Sequence, residues 1–325
     1  MDEPLLSPAE ARTNLFPIRY PRIWDRNRQA LSPFWVAGEV DLSRDRDDWE
    51  RLTPDERHFV SMVLAFFANA DGIVNDNLAE RFGREVAVRE AKCFYDLQKT
   101  MENIHNEMYS LLIDTLVDDA AQRDRLLHAV DHYDCVRRKA AWARRWIDAP
   151  DASFAERLVA FAVVEGVFFS GSFCAIFWLK QRGLLPGLCQ SNTLIARDEG
   201  MHQDFAVLLY TDHVRGRLSD ATAHAIVGDA VEHEKAFICG ALPVSLIGMN
   251  ADDMAAYIDF VADRLLVQLG HPPLTRAANP FEFMALQGLE TKTNFFEGRE
   301  SAYQKAGARA AAEGGQHTFA VDADF

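Results

Sequence analysis

The apolar positions of this chain recur mostly three and four residues apart, the spacing of one helix face, and the segments that carry the pattern are long. Helices are predicted over about 53–82, 86–116, 122–147, 153–181, 190–215, 219–240 and 251–270. Leu52-Thr53-Pro54 followed by Asp55 and Glu56 reads as a helix start, with the threonine as cap and the proline in the first turn. Leu185-Pro186-Gly187 and His271-Pro272-Pro273 act as breakers. No run alternates with hairpin turns as strands do. Residues 1–20, punctuated by proline, read as an irregular arm, and 21–297 as one helical domain. From Gly298 the apolar period is lost, which predicts a flexible tail over 298–325. The expected class is all-α.

One segment is apolar on every side. From Leu158 to Leu179 run 22 residues in which Glu165 is the only charge. At about 1.5 Å per residue a helix there spans roughly 33 Å, enough for a bilayer. An acid in mid-bilayer is costly, and Gly166, Ser170, Gly171 and Ser172 favour close packing against protein. No second such span is expected, so the segment reads as the central helix of a bundle, buried all round. Glu165 then needs a partner, because an isolated carboxylate in a core costs too much.

Glu-x-x-His supplies one. It occurs as Glu102-Asn103-Ile104-His105 and as Glu199-Gly200-Met201-His202, and at helical spacing both side chains of each pair share a face. Either pair alone reads as surface decoration. Each, however, follows an acid in an apolar stretch by about thirty residues: Asp71 precedes the first and Glu165 the second. Acids on two helices and Glu-x-x-His on two more make the donor set of a di-iron or di-manganese carboxylate site in a ferritin-like bundle. Bridging carboxylates and one neutral imidazole per metal suit two such cations. Gly72, Gly166 and Gly200 directly follow three of these acids, a sign of close packing or of local helix distortion. Tyr109 lies one turn beyond His105 on the same face. It is either a core tyrosine or an oxidisable phenol beside an oxygen-activating site. Phe169, Phe173 and Ile195 sit at helical spacing from Glu165 and Glu199, as plain core or as an apolar pocket that shelters a radical.

Composition narrows the partners. With 34 basic and 49 acidic residues in 325, the net charge is −15, which argues against a nucleic-acid or anionic-membrane binder. The basic stretch Arg137, Arg138, Lys139, Arg144 and Arg145 reads as the wet face of a helix. A hydrophobic share of 49% is enough for a large core. The five cysteines form no CxxC and fit a reducing compartment, and the N-terminus lacks the pattern of a signal peptide. A cytoplasmic protein is expected.

The stretches LAFFANADGIVNDNLAERF, MENIHNEMYSLLIDT, FAVVEGVFFSGSFCAIFWLKQRGLLPGL and IARDEGMHQDFA resemble the small, radical-generating subunit of class I ribonucleotide reductase, in the form found in eukaryotes and large DNA viruses. The resemblance runs from about Phe16 to Phe325 and is weakest over 117–156 and 211–235. It implies two iron ions per chain, with manganese as the alternative, one held by Asp71, Glu102 and His105 and the other by Glu165, Glu199 and His202, with Glu102 as bridge. It implies that dioxygen activation leaves a stable radical on Tyr109. Trp35 and Asp198 match the electron-transfer route, and Tyr303 the relay tyrosine of the tail. The ending FAVDADF resembles the peptide that docks on the large subunit, where ribonucleoside diphosphates are reduced. A homodimer is implied as well. No Gly-rich phosphate loop marks a nucleotide site here. Residue patterns alone also admit a di-metal oxidase with its own substrate, or a metal-storage protein.

Overall fold

The computed structural model describes residues 3–241 and 244–285. The expected tail, with Tyr303 and FAVDADF, lies outside the described residues. Helices α1 (Pro21–Leu31) and α2 (Asp45–Arg51) precede the long α3 (Pro54–Asn77), which runs on through a π-helical turn, Leu78–Phe82, into the short α4 (Gly83–Glu85). Then follow α5 (Arg89–Leu116), α6 (Ala120–Leu127), α7 (Ala129–His132) and α8 (Asp134–Asp148). The segment α9 (Phe154–Val163) passes through a π-helical turn, Val164–Phe168, into α10 (Ser170–Gln181). The chain continues with α11 (Pro186–Asp212), α12 (Asp220–Lys235) and α13 (Ala251–Leu269). No strand occurs among the described residues; a single antiparallel bridge ties Ala11 to Val88.

Local chemistry sets the main helix starts. Thr53 and Glu56 form a reciprocal capping box with Pro54 in the first turn, as the sequence pattern predicts. Ser153 and Glu156 do the same for α9. Leu185, with φ 51°, turns the chain into Pro186 and α11, whose first amides, Gly187 and Leu188, donate to the buried Asp45 carboxylate at 2.7 Å each. The core is a bundle in which α3 packs on α5, and α9–α10 on α11. It is sealed by α1, α8, α12 and α13.

Four expectations change. Helices α1 and α2 lie ahead of the first predicted one; α1 buries only Ile23, Asn27 and Ala30, too few apolar positions to show a period. The helix predicted over 122–147 is broken at His128 and Tyr133, where the chain leaves helical angles, and Arg137 takes up the freed carbonyls of Val130 and Asp131. The apolar helix of 158–179 is not alone: Pro54–Glu85 is also long and apolar enough to span a bilayer. Buried shares of 94% and 72% in their most apolar stretches make both core helices. Of the basic stretch, the four arginines face solvent, but Lys139 is only 1% exposed.

After α13 the chain is pinned by one carboxylate. Asp263 accepts from the amides of Leu274, Thr275, Arg276 and Ala277 and from the Thr275 hydroxyl at 2.8 Å. Arg276 is held there at φ 61°, a conformation unfavourable for a side-chain-bearing residue. Burial alone would raise the Asp263 pKa; the Thr275 hydroxyl and the amides outweigh it and hold the group below its ordinary value. We expect Asp263→Asn to lose about 1–3 kcal/mol at neutral pH, read as a lower urea midpoint. Because the folded pKa is depressed, this stabilisation is complete above the unfolded value and is lost as pH falls through the folded one. The gap between the two proteins should therefore narrow as the pH is lowered below about 4.

Candidate metal centre

The bundle brings the six predicted ligands to one place. Asp71 comes from α3, Glu102 and His105 from α5, Glu165 from the π-helical turn, and Glu199 and His202 from α11. Each is at most 3% exposed. Their donor atoms form two groups, Asp71, Glu102 and His105, and Glu102, Glu165, Glu199 and His202, with all atoms of a group within 4.8 Å of one another. Glu102 belongs to both, which places a carboxylate between two cation positions.

Four buried carboxylates need compensation that the protein supplies only in part. Both oxygens of Asp71 and one oxygen of Glu165 are buried without a hydrogen-bond partner, and Glu102 and Nδ1 of His105 meet only other members of the cluster. Nδ1 of His105 lies 3.1 Å from Glu199, and Nδ1 of His202 lies 3.0 Å from both Glu102 and Glu199. Burial, reinforced by neighbouring carboxylates, raises Asp71 and Glu165 well above the ordinary acid range. His202 is raised to about 9, because Glu102 and Glu199 outweigh the burial that would lower it. His105 is raised likewise by Asp198, Glu102 and Glu199, against its own desolvation. Glu199 is lowered: its contacts with His105 and His202 prevail over burial. Carboxylate oxygens and imidazoles facing one another in a dry core are the donor chemistry of a two-metal site, and the residues fit one.

Tyr109 is 2% exposed and stacks on Phe67, with ring centroids 4.8 Å apart. Phe67 in turn contacts Phe169 and Phe173, at 5.7 and 5.1 Å. Ile195 is fully buried on α11. Burial, and then the charge of Asp71, pushes the Tyr109 phenol well above its ordinary pKa, so it stays protonated. Trp35, also fully buried, donates from Nε1 to Oδ2 of Asp198 at 2.7 Å, and the same oxygen lies 3.2 Å from Nε2 of His105. The Trp35 and His105 rings stack at 6.0 Å. Arg197 holds the other oxygen of Asp198 at 2.9 Å and so pairs with it without displacing Trp35.

Two features escaped the sequence pattern. Gln98, one turn before Glu102 on the same helix face, donates to Glu165 at 2.8 Å; its spacing was a usable signal. Phe67 stacks directly on Tyr109 with Phe169 and Phe173 behind it, and only tertiary packing reveals that. The glycines divide: Gly72 and Gly200 have open space where a Cβ would stand, so close packing is not their reason. Gly166 lies in the π-helical turn, where a Cβ would come within 2.3 Å of the Gln203 side chain.

Comparison with known proteins agrees with this geometry. The family model described as ribonucleotide reductase, small chain, matches residues 12–280. The ribonucleoside-diphosphate reductase small chain of Nicotiana tabacum is 56% identical over 326 residues, covering 100% of this chain and 98% of its own. That of Trypanosoma brucei brucei is 54% identical over 325 residues, covering 100% and 96%. A solved ribonucleotide reductase homodimer from Saccharomyces cerevisiae shares the fold with a TM-score of 0.81 at 36% identity, over 91% of this chain and 93% of that one. Its sequence, its helical bundle and its carboxylate–imidazole cluster together place this chain in the ribonucleotide reductase small chain family.

Proposed function

We propose that this small subunit of ribonucleoside-diphosphate reductase binds two iron ions, manganese being the alternative, and stores a radical on Tyr109 for use by a large subunit. Asp71, Glu102 and His105 would hold one ion and Glu165, Glu199 and His202 the other, with Glu102 shared. When bound, the metals supply the oxidising power of dioxygen reduction. Phe67, Phe169, Phe173 and Ile195 keep water and reductants from the phenoxyl group that remains when Tyr109 gives up its hydrogen atom. Trp35 and Asp198 carry the oxidising equivalent outward, and Tyr303 passes it on.

The observation that carries this reading is the unbroken polar line Trp35–Asp198–His105, which leaves the metal cluster through a side chain oxidisable in its own right. A storage protein has no use for it. The sequence supports the tail 298–325 as the docking segment, since Phe319, Val321 and Phe325 alternate with Asp322 and Asp324 as in a peptide that orders in a groove. The homodimer of the yeast relative supports the same assembly here. Five free cysteines suit the cytoplasm as its compartment.

Anaerobic titration of the metal-free protein with ferrous or manganous ion is expected to saturate at two ions per chain. Glu102→Ala should weaken both, by at least the roughly 10–100-fold that loss of an outer-sphere partner costs, while Asp71→Ala weakens one. Uptake of many ions, or of none, overturns the reading. After ferrous loading and exposure to oxygen, the wild type should give a tyrosyl signal in electron paramagnetic resonance. Tyr109→Phe should load the same two ions, give no such signal, and support only background nucleotide reduction with the large subunit. Normal reduction by the folded, loaded variant would refute the assignment.

A further inference from the structure

Lys139 on α8 and Glu234 on α12 form an ion pair of 2.5 Å, with both side chains at most 1% exposed. Neither belongs to the metal cluster or to the route through Trp35. Their hydrogen bonds all converge on the seam where the π-helical turn Val164–Phe168 gives way to α10. Such a seam deprives backbone groups of their helical partners. The Phe168 carbonyl accepts from Nζ of Lys139 at 2.6 Å, and the Gly171 amide donates to Oε1 of Glu234 at 3.2 Å. Ser170 adds a third contact at the seam, donating from its hydroxyl to the Val167 carbonyl at 2.7 Å. Gly171 is part of the device, because a Cβ there would stand 2.7 Å from Oε1 of Glu234 and 3.0 Å from Ile238.

The same ammonium reaches the aromatic wall. Nζ lies 3.5 Å from the centre of the Phe66 ring and 4.3 Å from that of Phe237. Phe66 packs on Phe67, the ring stacked on Tyr109, and on Phe169. Nζ therefore has a carbonyl, a carboxylate and a ring face for its three hydrogens, and Glu234 has a donor on each oxygen. Burial still pulls Lys139 down, to about 8, against the carboxylate that holds it up. A buried pair is often no more stabilising than apolar residues of similar volume, so stability alone does not account for it.

The geometry points to the Lys139–Glu234 pair as a positioning element that clamps the Val164–Phe168 turn, so that Glu165, three residues before Phe168, stands ready for the second metal. This rests on the two-metal reading above. The pair touches no metal and no reacting atom; it acts through the backbone at Phe168 and Gly171. Gln98 holds the carboxylate end of Glu165, and the ion pair holds the turn that carries it.

The test separates positioning from stability. Lys139→Met alone strands a buried carboxylate and is expected to fold poorly, so the informative protein is Lys139→Met with Glu234→Gln. It removes both charges and keeps an acceptor for Gly171, but Phe168 loses its donor. Its unfolding temperature should stay near that of the wild type. Amide hydrogen exchange over 164–173 in the metal-free full-length protein should nonetheless quicken. In anaerobic manganous titration one ion should weaken about 10–100-fold while the other is unchanged within threefold. Gly171→Ala, which pushes Glu234 off the amide without altering charge, should reproduce the selective loss and carries the test if the double variant does not fold. Two ions bound as in the wild type, or both weakened equally, would overturn the clamp. A wild type that fails to bind two ions would instead remove the two-metal reading, and the clamp with it.

Discussion

Four carboxylates and two imidazoles at the centre of an apolar bundle are the constraint that shapes the rest of this protein. In water such a cluster costs little; in a core each unpaired charge is prohibitive. Housing it requires several long helices whose apolar surface excludes solvent, and the protein's own hydrogen bonds leave both oxygens of Asp71 without partners, a deficit that divalent cations would make good. That requirement explains why two helices are apolar enough to pass for membrane spans while remaining buried in protein. Their hydrophobicity is the wall of a metal site.

The second consequence is local. A regular α-helix places side chains at fixed angles, and Glu165 sits instead in a π-helical turn that widens the helix just where its carboxylate joins the cluster. Widening frees backbone groups, and these must be satisfied in the driest part of the molecule. Buried polar groups therefore spread outward from the metal site in a second ring: Gln98 on the carboxylate, Ser170 on a carbonyl, Lys139 and Glu234 across the seam. A purely apolar lining would leave that strain unrelieved.

What was legible in the sequence follows from what a helix repeats. Asp71, Glu102, His105, Glu165, Glu199 and His202 could be found because ligands on successive helices recur at spacings the chain itself displays, and Tyr109 because it continues one face. The resemblance to a known family then supplied roles for Trp35 and Asp198 that spacing alone does not contain. Lys139 was misread for the complementary reason. Its four arginine neighbours are solvated, and only the approach of α12, nearly a hundred residues later, turns that one position inward to Glu234. The π-helical turns and the breaks at His128 and Tyr133 were equally hidden. A hydrophobic period survives a one-residue bulge or a short gap with little change, whereas hydrogen bonding does not.

Asp198 joins the carboxylate–imidazole cluster to Trp35, and its two oxygens show how. One is held by Arg197, whose guanidinium also reaches the Pro33 carbonyl and so fixes the loop that carries Trp35. The other is left to serve Trp35 and His105 together. Arg197 also favours the charged carboxylate, which burial would oppose, so that both neighbours meet an acceptor. The indole N–H can only donate. Hence the side of His105 that faces Asp198 must also present a proton, and its other nitrogen, Nδ1, is turned towards Glu102 and Glu199. The Arg197–Asp198 salt bridge thus fixes one acceptor for the Trp35 indole and the His105 imidazole together and leaves Nδ1 of His105 facing the carboxylate cluster.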